Sequence, residues 1–186
     1  MKSHRKIKWR VYGSVIHKHR AVLVRGMYRF RAEIGAKGFV QNKREGDLKT
    51  PIGTFKVIDF YYRAGKQLKP PRSYLAAKII RPDMGWCDDP KSIKYNRPVS
   101  LPFSGSHELL FREDALYNVV GVFDANISPT RRDRGSAIFL HCMRDRNSLA
   151  DGGIIVGTAG CLALKPKHLK ILFKTLNNNT YIKLGR

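Results

Sequence analysis

The chain has 186 residues, 42% of them hydrophobic, which is enough to bury a core and excludes both a disordered polymer and a short disulfide-stapled peptide. It carries 36 Lys and Arg against 14 Asp and Glu, a formal net charge of +22 at pH 7, so an acidic macromolecule is the partner its surface attracts. No apolar run approaches the roughly 20 residues a membrane-spanning helix needs, and three cysteines without a CxxC pair argue against a disulfide framework.

From the N-terminus, residues 2–10 are basic, and residues 11–16 are too short and mixed for the apolar part of a Sec signal. Ile7, Trp9 and Val11 alternate with Lys8, Arg10 and Tyr12, and Val22, Val24, Tyr28, Phe30 and Ala32 keep that period around Gly26. Both segments predict strands buried on one face, arranged as a β-hairpin or meander. The polar residues 41–49 predict a loop leading into Thr50-Pro51-Ile52-Gly53-Thr54-Phe55, followed by a strand over 57–62. Between 86 and 102 the composition turns to Asp, Pro and Asn, which predicts a long irregular excursion capping something.

Residues 113–117 predict a helical turn, and 118–124 and 137–141 predict short strands of the buried type, the second ending on His141. Pro166 at a first helical position, with Leu169, Leu172, Phe173 and Leu176 on one side and Lys167, Lys170 and Lys174 on the other, predicts one amphipathic helix. Asn177-Asn178-Asn179 stops it, and 180–184 predicts a last strand. There is no repeat or linker, so the expectation is one mainly β domain over residues 1–186, with the basic segment 1–20 supplying its first strand.

The chemistry concentrates in two places, Phe139-Leu140-His141 and Gly157-Thr158-Ala159-Gly160-Cys161-Leu162. A thiol attacks a carbonyl as its thiolate, and an adjacent imidazole or a helix N-terminus lowers its pKa. Gly160 lets substrate come close, and N–H groups around Gly160 and Cys161 are suited to an oxyanion. Cys142, next to His141 on a strand, is expected to face away from Cys161. Cys87, His107, Cys142 and Cys161 lack the paired short spacings of a structural zinc site. A rival reading is a basic nucleic-acid-binding module presenting Trp9, Tyr12, Tyr28 and Phe30 on a sheet, but no helix-turn-helix, RNP-like or zinc-finger spacing accompanies it.

Thr50-Pro51-Ile52-Gly53-Thr54-Phe55, then His141, then Thr158-Ala159-Gly160-Cys161 resemble, in order and separation, the L,D-transpeptidase catalytic domain of YkuD type. Gly85-Trp86-Cys87-Asp88-Asp89-Pro90, Tyr95-Asn96-Arg97-Pro98, Ser106-His107-Glu108, Leu116-Tyr117 and Gly135-Ser136-Ala137-Ile138-Phe139-Leu140-His141 resemble its proteobacterial peptidoglycan branch, and the likeness runs from about Ile34 to Leu184. The resemblance implies a β-sandwich or barrel with one C-terminal helix. It also implies a cysteine acyltransferase of cell-wall biogenesis and cell shape, acting in the periplasm or envelope although no signal peptide is visible. Cys161 would take the acyl group of a peptidoglycan stem peptide, release D-alanine, and pass the acyl group to a neighbouring stem or to water, the latter an L,D-carboxypeptidase reaction. His141 would serve as base and acid, oriented by a carbonyl of Gly157 or Thr158, with no metal or cofactor.

The chain departs from the family pattern on both sides of the cysteine. Thr158-Ala159 stand where many members have Ser-His or Ser-Arg, and Ala163 stands where many have Arg or Asn. The substrate carboxylate then needs another cation, with Arg144 and Arg146 as candidates. Trp86, Asp88, Asp89, Tyr95 and His107 are expected to shape the substrate pocket. The implied partners are peptidoglycan stem peptides, with anionic envelope polymers attracted by charge and nucleic acid disfavoured. A non-catalytic envelope-binding domain is the further alternative that Ala163 suggests.

Overall fold

The computed structural model describes residues 7–66, 72–144 and 156–185. The alternating N-terminal segment forms β1 (Ile7–Gly13), β2 (Arg20–Arg25) and β3 (Tyr28–Glu33), an antiparallel meander. Its period-2 pattern buries Trp9, Val11, Ala21, Leu23, Phe30 and Ala32 and turns the intervening residues outward. β4 (Phe39–Val40) and β5 (Thr50–Pro51) pair in parallel as a separate ribbon. β6 (Gly53–Phe55), β7 (Val57–Tyr62) and β8 (Ala77–Ile79) follow.

β9 (Met84–Cys87), β10 (Pro98–Ser100) and β11 (His107–Leu109) make a small antiparallel sheet with β9 in the middle. The stretch expected to be irregular therefore contains strand. These segments are three or four residues long and are defined by pairing with one another, so no alternation marks them. A 3-10 turn at Ala115–Tyr117, capped by the Asp114 carboxylate accepting from the Leu116 N–H, precedes β12 (Val119–Phe123) and β13 (Phe139–Cys142). β14 (Leu162–Leu164), α1 (Pro166–Thr175) and β15 (Thr180–Leu184) complete the order.

Ten strands join in one sheet in the order β6-β15-β1-β2-β3-β14-β13-β12-β7-β8, with parallel pairs at β1/β15, β13/β14 and β7/β8. α1 begins on Pro166 and presents Leu169, Leu172 and Phe173 to the inner face of this curled sheet. There they meet Trp9, Phe30, Leu140, Cys142, Leu162 and Leu164, and the Phe173 ring lies 4.4 Å from Phe60. Each such fully buried side chain contributes about 1.5–3 kcal/mol. On the opposite, outer face, Tyr61, Val120, Val122 and Phe139 pack under the small sheet, with Trp86 edge-on to Phe139 at 5.3 Å. The fold is mainly β with one helix, at the C-terminus, as the sequence leads one to expect. Among the described residues no helix is long and apolar enough to cross a membrane.

Candidate active site

Cys161 immediately precedes β14, which runs parallel to β13 with Leu162 opposite Leu140 and Ala163 opposite His141. Side chains alternate along each strand, so Phe139, His141, Cys161 and Ala163 share the outer face, while Leu140, Cys142, Leu162 and Leu164 enter the core on the inner one. The register brings Cys161 and His141 to the wall of one cavity of about 480 Å³. Both are nearly enclosed, at 8% and 5% exposure.

The Nδ1 of His141 lies 2.7 Å from the Cys142 carbonyl oxygen. A carbonyl only accepts, so Nδ1 carries the proton and Nε2 keeps its lone pair. Burial lowers the imidazole pKa to about 4, leaving the ring neutral at pH 7. The Cys161 Sγ accepts from the Phe139 N–H at 3.3 Å and donates to the Ala137 carbonyl at 3.2 Å. Burial pushes this thiol up to about 12, against the weaker opposing effect of the Phe139 N–H. Both shifts favour a thiol and a neutral imidazole at rest over a ready thiolate. α1 does not alter this, because β14 intervenes and the helix packs on the inner face.

The loop before Cys161 is held by hydrogen bonds of Thr158 and Thr50. The Thr158 N–H donates to Ile34 O and the Thr158 carbonyl accepts from the Ala36 N–H, both at 2.9 Å. The Thr158 carbonyl is thus engaged in strand-like pairing, and the carbonyl that orients the imidazole is that of Cys142, not of Gly157 or Thr158. Thr158 Oγ1 donates to Cys161 O at 2.8 Å and accepts the Gly160 N–H at 3.2 Å. The Gly160 N–H, expected to serve an oxyanion, is held within the turn instead. A Cβ on Gly160 would stand 2.9 Å from Lys49 O, and Gly157 has φ +82, so neither position suits another residue. Thr50, fully buried, accepts from the Gly35 N–H at 2.8 Å and donates to Gly160 O at 2.9 Å. Its motif is thereby tied to the residue before Cys161.

The remaining sequence candidates separate. Arg144 lines the cavity and has no ion pair among the described residues; Arg146 lies outside the described residues. Asp88 lines the cavity with its buried Oδ1 lacking a hydrogen bond among the described residues. Asp89 shapes its own turn, accepting the Lys91 N–H at 2.9 Å. His107 sits on β11 with Nδ1 2.8 Å from Gly105 O. Trp86 and Tyr95 are each 3% exposed and bonded inward, to Asn96 Oδ1 and the Glu45 carboxylate respectively. Trp86, Asp89, Tyr95 and His107 are not among the residues that line the cavity.

Several wall residues carried no sequence assignment. The Tyr117 ring stands edge-on to His141 at 5.4 Å, and its hydroxyl donates to Glu108 Oε1 at 2.9 Å. Arg112 lies 3.6 Å from Glu108 and grips Asp114 at 3.0 and 2.7 Å. Lys43, 7% exposed and bonded to Asp47 and Arg44 O, brings a positive charge that favours ionisation of Cys161. A loop lysine offers no sign of this in sequence. Among the described residues no group of three or more His, Cys, Asp or Glu is placed to hold a metal ion.

A family model described as the L,D-transpeptidase catalytic domain, YkuD, matches residues 15–184. No curated protein matches the chain. Among solved structures, the crystal structure of L,D-transpeptidase 1 from Mycobacterium tuberculosis matches with 12% identity and a TM-score of 0.38; the match covers 96% of this chain and 62% of that one.

Proposed function

The chain belongs to the L,D-transpeptidase catalytic domain family, and from that premise we propose that residues 1–186 act as one catalytic unit that remodels peptidoglycan stem peptides through a thioester on Cys161. The observation that carries this reading is the fixed tautomer of His141, which keeps the lone pair on Nε2, on an imidazole that shares a cavity wall with the thiol. Nε2 takes the thiol proton as Sγ bonds to the carbonyl carbon of the L,D-amide between the third stem residue and its terminal D-alanine. The C–N bond then breaks, the imidazolium returns the proton to the leaving amine, and the acyl group stays on sulfur. A diamino acid amine of a second stem, or water, gives its proton to Nε2 and attacks the thioester. The C–S bond breaks and the thiol is restored.

With the Gly160 N–H engaged by Thr158, the N–H of Cys161 is the turn's donor for the oxyanion, and the Lys43 ammonium adds positive potential. Arg144 takes the carboxylate contact that Ala163 does not make. The motifs around Trp86 and Tyr95 support the proteobacterial branch and action in the cell envelope. Incubation with a purified disaccharide tetrapeptide, read by mass spectrometry, tests the reading. Wild type is expected to release D-alanine, with or without a cross-linked dimer, and Cys161→Ser to release none; an inert wild type would overturn it.

A further inference from the structure

The outer sheet face that holds Cys161 and His141 continues beyond the cavity. Arg20 of β2 is opposite Glu33 of β3, Glu33 is opposite Ala163 of β14, and Ala163 is opposite His141 of β13. One cross-strand row therefore runs from the open surface into the cavity, whose wall includes Glu33. Two residues along β3, the next row is Arg31, Val22 and Tyr12; the row after that is Arg29, Val24, Arg10 and Lys183. Lys8 lies opposite Tyr181.

Lys8, Arg10, Arg20, Arg29 and Arg31 are exposed and Lys183 is half-buried, and none of the six has an ion pair among the described residues. Glu33 is the one carboxylate among the described residues of these rows. With strands about 4.8 Å apart and alternate residues about 6.8 Å apart, the cations tile a patch roughly 15 Å across the four strands. Like charges on adjacent strands oppose folding, so packing gives no reason for them. A polyanion laid on the patch does.

We propose that the outer face of β15, β1, β2 and β3 docks a peptidoglycan strand through the carboxylates of its stem peptides and delivers a stem to the cavity. The identity of the polymer rests on the reading of Cys161 given above. Continuity of the row with His141 favours a polymer part of which enters the cavity, and a nucleic acid has no such part.

Sedimentation of catalytically inert Cys161→Ala protein with purified, protein-free sacculi measures docking apart from turnover. Adding Arg10→Glu, Arg29→Glu and Arg31→Glu together is expected to lower the bound fraction at least tenfold at 0.1 M salt. The corresponding triple Gln change, which adds no repulsion, lowers it at least threefold, and the triple Lys change keeps it within twofold. In the enzyme that retains Cys161, the triple Glu change lowers the ratio of sacculus turnover to soluble tetrapeptide turnover about tenfold. Undiminished sedimentation of both the Glu and Gln proteins overturns the proposal. So does loss of duplex DNA binding with sacculus binding unmoved. Absence of D-alanine release from the soluble fragment by the parent enzyme strikes the reading of Cys161 alone, and the sedimentation arm still decides the docking face.

Discussion

His141 is held by a neutral carbonyl, where a carboxylate would have raised its basicity, and its burial takes the imidazole down to about 4. The base is consequently uncharged throughout the neutral range, and the thiol gives up its proton only as the new bond forms. Alkylation of Cys161 by iodoacetamide is therefore expected to keep rising with pH beyond about 9; a rate that levels off near pH 7 would reveal a thiolate–imidazolium pair. The same burial has a folding consequence. An unfolded chain protonates this histidine near its ordinary 6.5, before the folded one does, so the stability is whole above that pH and is lost as pH falls towards about 4. The loss reaches about 3 kcal/mol, and urea unfolding at pH 7 and pH 4.5 should show a smaller drop for His141→Gln than for wild type. Thr50 offers a separate test, because Thr50→Val keeps the volume while leaving the Gly35 N–H and the Gly160 carbonyl unpaired in the interior. Two such losses cost about 2–6 kcal/mol. A melting temperature unmoved by this change, or kcat/KM within twofold of wild type, would deny Thr50 its place in holding the Cys161 turn.

Helix α1 and the long strands were legible because their side chains repeat at a period that burial enforces. Trp9, Val11, Leu23 and Phe30 mark the meander, and Leu169, Leu172 and Phe173 mark the helix. β8 is exposed throughout and β9, β10 and β11 are three or four residues long, so only hydrogen-bonded neighbours define them. The site divides in the same way. Cys161 and His141 are chemically distinctive and readable, whereas Thr50 acts on Gly160 across 110 residues, and Lys43, Glu108 and Arg112 look like any surface charges until the fold assembles them. The helix makes a prediction of its own: Phe173→Ala removes a ring that is fully buried against Phe60 and is expected to cost about 3–5 kcal/mol. Thermal unfolding checks it, with tetrapeptide turnover at low temperature affected far less, since α1 lies behind the sheet from Cys161.

At the scale of the whole molecule, a net charge of +22 is opposed by few ion pairs among the described residues, such as Arg112 with Glu108 at the cavity rim and Lys78 with Asp59 between β8 and β7. Self-repulsion of this size is screened by salt, with a Debye length of about 30 Å at 0.01 M and about 8 Å at 0.15 M. The melting temperature is therefore expected to rise between those ionic strengths, while a flat or falling trend in calorimetry would mean that the cations are already compensated. The placement of two cysteines on opposite sides of β13 and β14 has a different outcome. Cys142 is opposite Leu164, three residues along from Cys161, and faces the core while Cys161 faces outward, which forbids a bridge between them. Peroxide that reaches the nucleophile thus leaves a sulfenic acid that Cys142 cannot resolve, and regaining the reduced enzyme falls to small thiols diffusing in from the surroundings.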